Sequence, residues 1–76
     1  MKKNKNSLYA VPDNCNYTIS NVPDVRILNS LGVFPGSVIR KKKRYGLGGP
    51  VLINLATREL ALGKDVAEAI LVEEAI

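Results

Sequence analysis

The chain has no histidine, a single cysteine, few aromatics and no long apolar run, and each shortage removes a class of function. Without histidine, no side chain has an ordinary pKa near neutrality, so general acid–base chemistry lacks its usual agent. Cys15 has no histidine to act as its base, and no serine lies in a nucleophile-elbow context. A structural zinc site draws its ligands from several Cys and His residues, which this sequence cannot supply. An internal disulfide framework is excluded too. Small secreted domains depend on such staples, so a reducing cytosol is favoured. Aromatics make up 5% of the residues, too few for a base-stacking platform. The opening MKKNKNS has the lysines of a signal peptide, but Leu8 to Val11 is too short for its apolar region and runs into Pro12-Asp13. No segment approaches the roughly 20 apolar residues of a membrane span. Together these shortages predict a cytoplasmic protein, not an enzyme, with no cofactor and no structural zinc site, and they assign no residue to a metal while leaving direct metal binding open.

What is present points to one small globular domain. The 76 residues are 46% apolar and 24% charged. A chain of this length buries only about 60% of its unfolded surface, which leaves no room for a large internal ligand cavity. The net charge of +4 is unevenly spread. Residues 1–58 hold ten basic and two acidic side chains, whereas residues 59–76 hold Lys64 against five carboxylates. The positive charge is concentrated in Lys2-Lys3-Lys5 and in the run Arg40 to Arg44. Such a patch invites an anionic partner: nucleic acid, a lipid surface or an acidic protein face.

Periodicity places the elements. Residues 1–7 read as a disordered tail, and residues 8–76 as a single domain. Pro12-Asp13-Asn14 supplies a turn. Cys15, Tyr17 and Ile19 then alternate with polar residues, as in a half-buried strand. Pro23 and Asp24 suit the start of a short helix carrying Val25, Leu28 and Leu31, and Gly32 suits its C′ position. Phe34-Pro35-Gly36-Ser37 is a turn with Pro second and Gly third. Strands follow at Val38–Arg44, Val51–Leu55 and Arg58–Leu62, with a loose loop at Tyr45–Pro50 and a tight one at Ala56-Thr57. One helical turn is expected at Val66–Ala69, and Ile70-Leu71-Val72 is expected to close the structure. The pattern predicts a mainly β fold: a five-stranded SH3-like barrel with one inserted helix. Its core is expected to draw on Tyr17, Ile19, Leu28, Leu31, Val38, Val51, Ile53, Leu60, Leu62, Ile70 and Val72.

Four stretches, namely Leu8 to Pro12, VRILNSLGVFPGSVI (25–39), Gly48-Gly49-Pro50-Val51 and ELALGKDVAEAILVE (59–73), resemble the FeoA family of ferrous iron uptake over residues 8–74. The sequence departs from the family where Asp13-Asn14 stands for a proline-glycine turn and where Val25-Arg26 stands for a basic pair. Asn can adopt the positive φ that glycine would. The resemblance implies an SH3-like barrel with no catalysis. It also implies a regulatory role through contact with the FeoB transporter, including its GTP-binding cytosolic part. The same domain type occurs in metal-dependent repressors, and without a preceding helix-turn-helix this chain is not expected to be a complete repressor.

The candidate contact residues are Arg26, Asn29 and Ser30 on the exposed side of the helix, Lys41 and Lys43 on the basic strand, and Leu47 at a glycine-flanked loop tip. Cys15 is read as a core thiol. Gly46 to Pro50 has no Gly-Lys-Ser/Thr after it and is read as a hairpin, not a phosphate cradle. A small nucleic-acid-binding barrel is the alternative function, with salt dependence as its discriminator. No nucleic acid is expected under the docking reading, contact with a membrane runs only through the partner, and self-association is left open.

Overall fold

A computed structural model describes residues 6–75. Five antiparallel strands are joined by two short helices: β1 (Cys15–Asn21), α1 (Arg26–Ser30), β2 (Val38–Arg44), β3 (Val51–Leu55), β4 (Arg58–Leu62), α2 (Lys64–Ala69) and β5 (Leu71–Glu74). The spatial order is β4-β3-β2-β1-β5. The last strand therefore pairs with β1, and among the described residues no ladder joins β4 to β5, so the expected closure by the C-terminal strand is not seen. The order follows from the connections. Two hairpins stack β2, β3 and β4, and α1 carries the chain from β1 back to an antiparallel β2.

The core is an apolar cluster of Leu8, Tyr17, Ile19, Leu28, Val33, Ile39, Val51, Ile53, Leu55, Leu62, Ala67, Ile70 and Val72. Leu31 and Leu60, expected inside, are only half-buried against it. One expectation is reversed: Val38 is 57% exposed, and Ile39 faces inward instead. The basic run offers no apolar alternation to fix the phase of β2, and pairing with β1 sets it by placing Ile39 opposite Tyr17. Asn6 and Ser7, read as part of the tail, instead border β5. The Asn6 carbonyl accepts from the Val72 amide at 2.8 Å, and Ser7 bridges to Leu71. The remainder of that tail lies outside the described residues.

α1 starts later than its sequence signals suggest, at Arg26 after an extended Val25, so Pro23 and Asp24 precede it. Its end is the expected one. The Val33 amide donates to the Leu28 carbonyl at 2.9 Å and the Gly32 amide to Asn29 at 3.1 Å, the paired bonds of a glycine-ended helix. Gly32 has φ +89° and packs so closely that a Cβ would lie 3.0 Å from a Leu55 methyl. Leu28 and Val33, at the two ends of that motif, are both buried, which anchors a helix too short to persist alone.

Candidate docking surface

The basic strand does not form one solvated face. The register of β2 against β3 slips: Lys41 lies opposite Ile53 and Lys43 opposite Leu52, so Lys42 is an extra, bulged residue. Lys41, two positions after the inward Ile39 and before the bulge, faces the core side, where it is 1% exposed. Its ammonium donates to the carbonyls of Tyr9 at 3.0 Å and Val11 at 2.5 Å and pairs with Asp13 at 3.4 Å. The contact role expected for Lys41 is corrected accordingly: it is an internal clamp on the segment that precedes β1. Burial lowers its pKa from the ordinary lysine value, and Asp13 opposes that shift.

The neighbouring cations divide up differently. Lys42 pairs with Glu59 at 3.0 Å. Beyond the bulge, Arg44 lies opposite Val51 and sits over the Tyr9 ring at 4.8 Å, with Lys64 at 5.8 Å from the same ring. Lys43 is exposed, as expected, and stacks on the Tyr45 ring at 5.0 Å.

The hairpin beyond these cations carries Leu47, which is fully exposed at 107%. The Gly49 amide closes a turn to the Gly46 carbonyl at 3.1 Å, and both central residues have positive φ, Leu47 at 60° and Gly48 at 77°. A leucine held in this region costs about 1–2 kcal/mol relative to its right-handed form. Glycine would meet the turn's demand without that cost.

The second exposed surface surrounds α1. Arg26, Asn29 and Ser30 are exposed there, as expected. Sequence reasoning missed their apolar neighbours: Ile27 is 61% exposed and Phe34 44%, with Val25 at 37%. A groove of about 440 Å³ runs between Val22–Arg26 and Phe34-Pro35, with Leu28 and Val33 in its lining. The signal was available in Ile27, an apolar residue adjacent to Leu28 and so off the buried stripe of the helix.

Cys15 is exposed, not a core thiol. It shares the Tyr17 face but stands at the end of β1, past the edge of the core. Asn14 adopts φ 62°, the positive value the turn before β1 was expected to need. The Tyr17 hydroxyl donates to the Pro12 carbonyl at 2.8 Å. Its pKa is pushed up to about 12 by burial, then by Cys15 and by the negative charge of Glu74 and Asp13.

These features define a small, mainly β, SH3-like domain whose distinctive chemistry lies on its surface. The chain belongs to the FeoA domain family, whose sequence model matches residues 6–74. That family is not known to be catalytic and is associated with ferrous iron uptake. Solved structures share the fold. An iron uptake regulatory protein (FeoA) has a TM-score of 0.80 at 24% identity, over 91% of this chain and 94% of its own. A FeoA-like protein from Clostridium acetobutylicum has a TM-score of 0.77 at 24% identity, over 92% of this chain and 86% of its own. A manganese-dependent transcriptional repressor has a TM-score of 0.81 at 24% identity over 91% of this chain, which spans only 41% of the repressor. No curated protein sequence matches significantly. No helix among the described residues is long and apolar enough to cross a membrane.

Proposed function

We propose that this protein is a docking and regulatory partner of a FeoB-type ferrous iron transporter and acts by protein–protein contact. The observation that supports this reading is membership of the FeoA domain family across residues 6–74, nearly the full chain. The surface chemistry agrees with it. Exposed apolar side chains stand beside polar ones around α1, the mixture from which protein interfaces are built. The contact set is Arg26, Asn29 and Ser30 with Ile27 and Phe34 on the α1 side, and Lys43 with Leu47 on the hairpin side.

The nucleic-acid alternative loses most of its footing. Of the five consecutive cations, Lys41 is internal and Lys42 is paired with Glu59, which interrupts the run at its centre. That leaves little of the continuous phosphate-tracking stripe that such binding needs.

The test is retention by the matching transporter, solubilised in detergent, with and without GTP and at two salt concentrations. Retention that Ile27→Asp abolishes supports the reading. Absence of retention in every condition overturns it.

A further inference from the structure

The hairpin between β2 and β3 combines two features that protein docking alone does not require. Its tip is a single leucine, held fully outward at positive φ between glycines. Its base is ringed by cations from separate parts of the chain. Lys43 stacks on Tyr45 within the hairpin, and Arg44 flanks Tyr9. Lys64, at the start of α2, reaches the loop itself: its side chain lies 3.9 Å from where a Cβ on Gly48 would stand. Tyr45, 42% exposed, sits between the tip and this base. The carboxylates facing this end are few. Asp13 is already neutralised by the buried Lys41, and Asp65 follows Lys64 in α2.

We infer that this hairpin docks on the anionic surface of a lipid bilayer, with Leu47 entering the interface and Lys43, Arg44 and Lys64 against the headgroups. The order along the hairpin matches the order of layers in a membrane: an apolar tip, an aromatic ring of the kind enriched at headgroup depth, then positive charge. An anionic protein face would satisfy the cations but would give a lone protruding leucine no apolar layer to enter. The inference refines the docking reading, since a transporter partner is itself embedded in such a surface. It also explains why an isolated leucine is kept where glycine would fold at lower cost. One apolar residue and three cations give weak, reversible attachment, which suits a protein whose second contact is a membrane protein.

The experiment is co-sedimentation of the full chain, without any transporter, on vesicles of phosphatidylcholine alone and of phosphatidylcholine mixed with phosphatidylglycerol. Binding is expected only to the mixed vesicles and is expected to fall as salt rises. Charge removal at the surface is worth about fivefold in partitioning per cation. Lys43→Gln with Lys64→Gln should therefore lower binding by roughly 25-fold. Leu47→Asp should weaken it further, while thermal melting confirms that each variant is folded. Two results overturn the inference: no preference for the anionic vesicles, or a preference that survives both the double variant and Leu47→Asp. The second would assign attachment to Lys2, Lys3 and Lys5 instead. Retention by detergent-solubilised transporter is a separate readout, so either reading can fail while the other stands.

Discussion

Lys41 and Lys43 stand two positions apart in the same strand and do opposite things. Lys41 is almost wholly enclosed and holds three oxygens of residues 9–13, whereas Lys43 is exposed and lies along an aromatic ring. In an unbroken strand they would share a face. The bulge at Lys42 separates them, ending the core-facing phase at Lys41 and turning Lys43 out at the root of the hairpin. Two ends of one strand thereby serve two purposes, with charge spent inside to fasten the N-terminal segment and charge displayed outside for a partner.

The comparison breaks most sharply at Lys41. Lys41→Met keeps the side-chain length but removes the donor to the half-buried Val11 carbonyl, leaves the Tyr9 carbonyl with only the 3.5 Å contact from Arg44, and takes the cation away from Asp13. Enclosed groups that lose their donor cost about 1–3 kcal/mol each, so a loss of roughly 3 kcal/mol is expected in urea unfolding. Such a change is a large share of the stability of a domain this small. Lys43→Met, at an exposed position away from such partners, should stay within about 0.5 kcal/mol. Equal costs for the two variants would refute the division of labour.

Alkaline titration sharpens the same contrast, because two buried groups at this end act with opposite sign. The folded pKa of Tyr17 is raised from 10.0 to about 12. The folded chain thus keeps the phenolic proton after the unfolded chain has lost it. The stability this provides is complete below pH 10 and disappears as pH rises through 12, a loss of about 3 kcal/mol. Lys41 runs the other way. Its folded pKa lies below the ordinary 10.5, so its share of stability is present above that value and is lost as pH falls through the folded pKa. Tyr17→Phe should therefore flatten the stability decline above pH 10, and Lys41→Met should steepen it. Unfolding midpoints measured across pH 9–12 separate these outcomes.

How far the sequence reached depends on whether a signal was local. β2, β3 and β4 were placed at their observed limits because turn residues bracket them: Pro35-Gly36 before, Gly48-Gly49-Pro50 between, and Ala56-Thr57 at the second hairpin. The positive φ values of Gly32, Gly36 and Asn14 were foreseen from residue type alone. The face of β2 was not. Its phase depends on a lysine pointing inward, which a hydrophobic pattern reads as outward. The acceptors that make this tolerable lie 30 and 32 positions earlier, at Val11 and Tyr9. Cys15 failed in a related way: strand alternation gave its face correctly but could not show that the core ends before it. At the candidate surface, Arg26, Asn29, Ser30, Lys43 and Leu47 were legible as exposed. The convergence of Arg44 and Lys64 on Tyr9 was not, since it joins three distant segments.

Glycine substitutions extend the contrast to the two turns that precede β2. Gly32 and Gly36 both have positive φ, but only Gly32 is crowded, by Leu55 and by the Arg58 guanidinium that also bonds the Leu31 carbonyl at 2.6 Å. Gly36→Ala meets no neighbour and should cost about 1 kcal/mol, the conformational penalty alone. Gly32→Ala adds a steric clash and should cost about 2 kcal/mol, with the difference read from paired thermal melts.

The smallest expected effect is a gain, and it tests the exposed end of the strand most directly. In the turn, Leu47 contributes no burial and holds an unfavourable backbone conformation. Leu47→Gly removes that cost but enlarges the freedom of the unfolded chain, so a net stabilisation of about 0.5–1 kcal/mol is expected. The same variant should lose attachment to anionic vesicles while leaving Lys43, Arg44 and Lys64 in place. A variant that is more stable and binds less well would show that the leucine is retained for contact at the expense of stability. If instead Leu47→Gly destabilises the domain, the leucine serves the fold, and the functional reading of the hairpin tip falls.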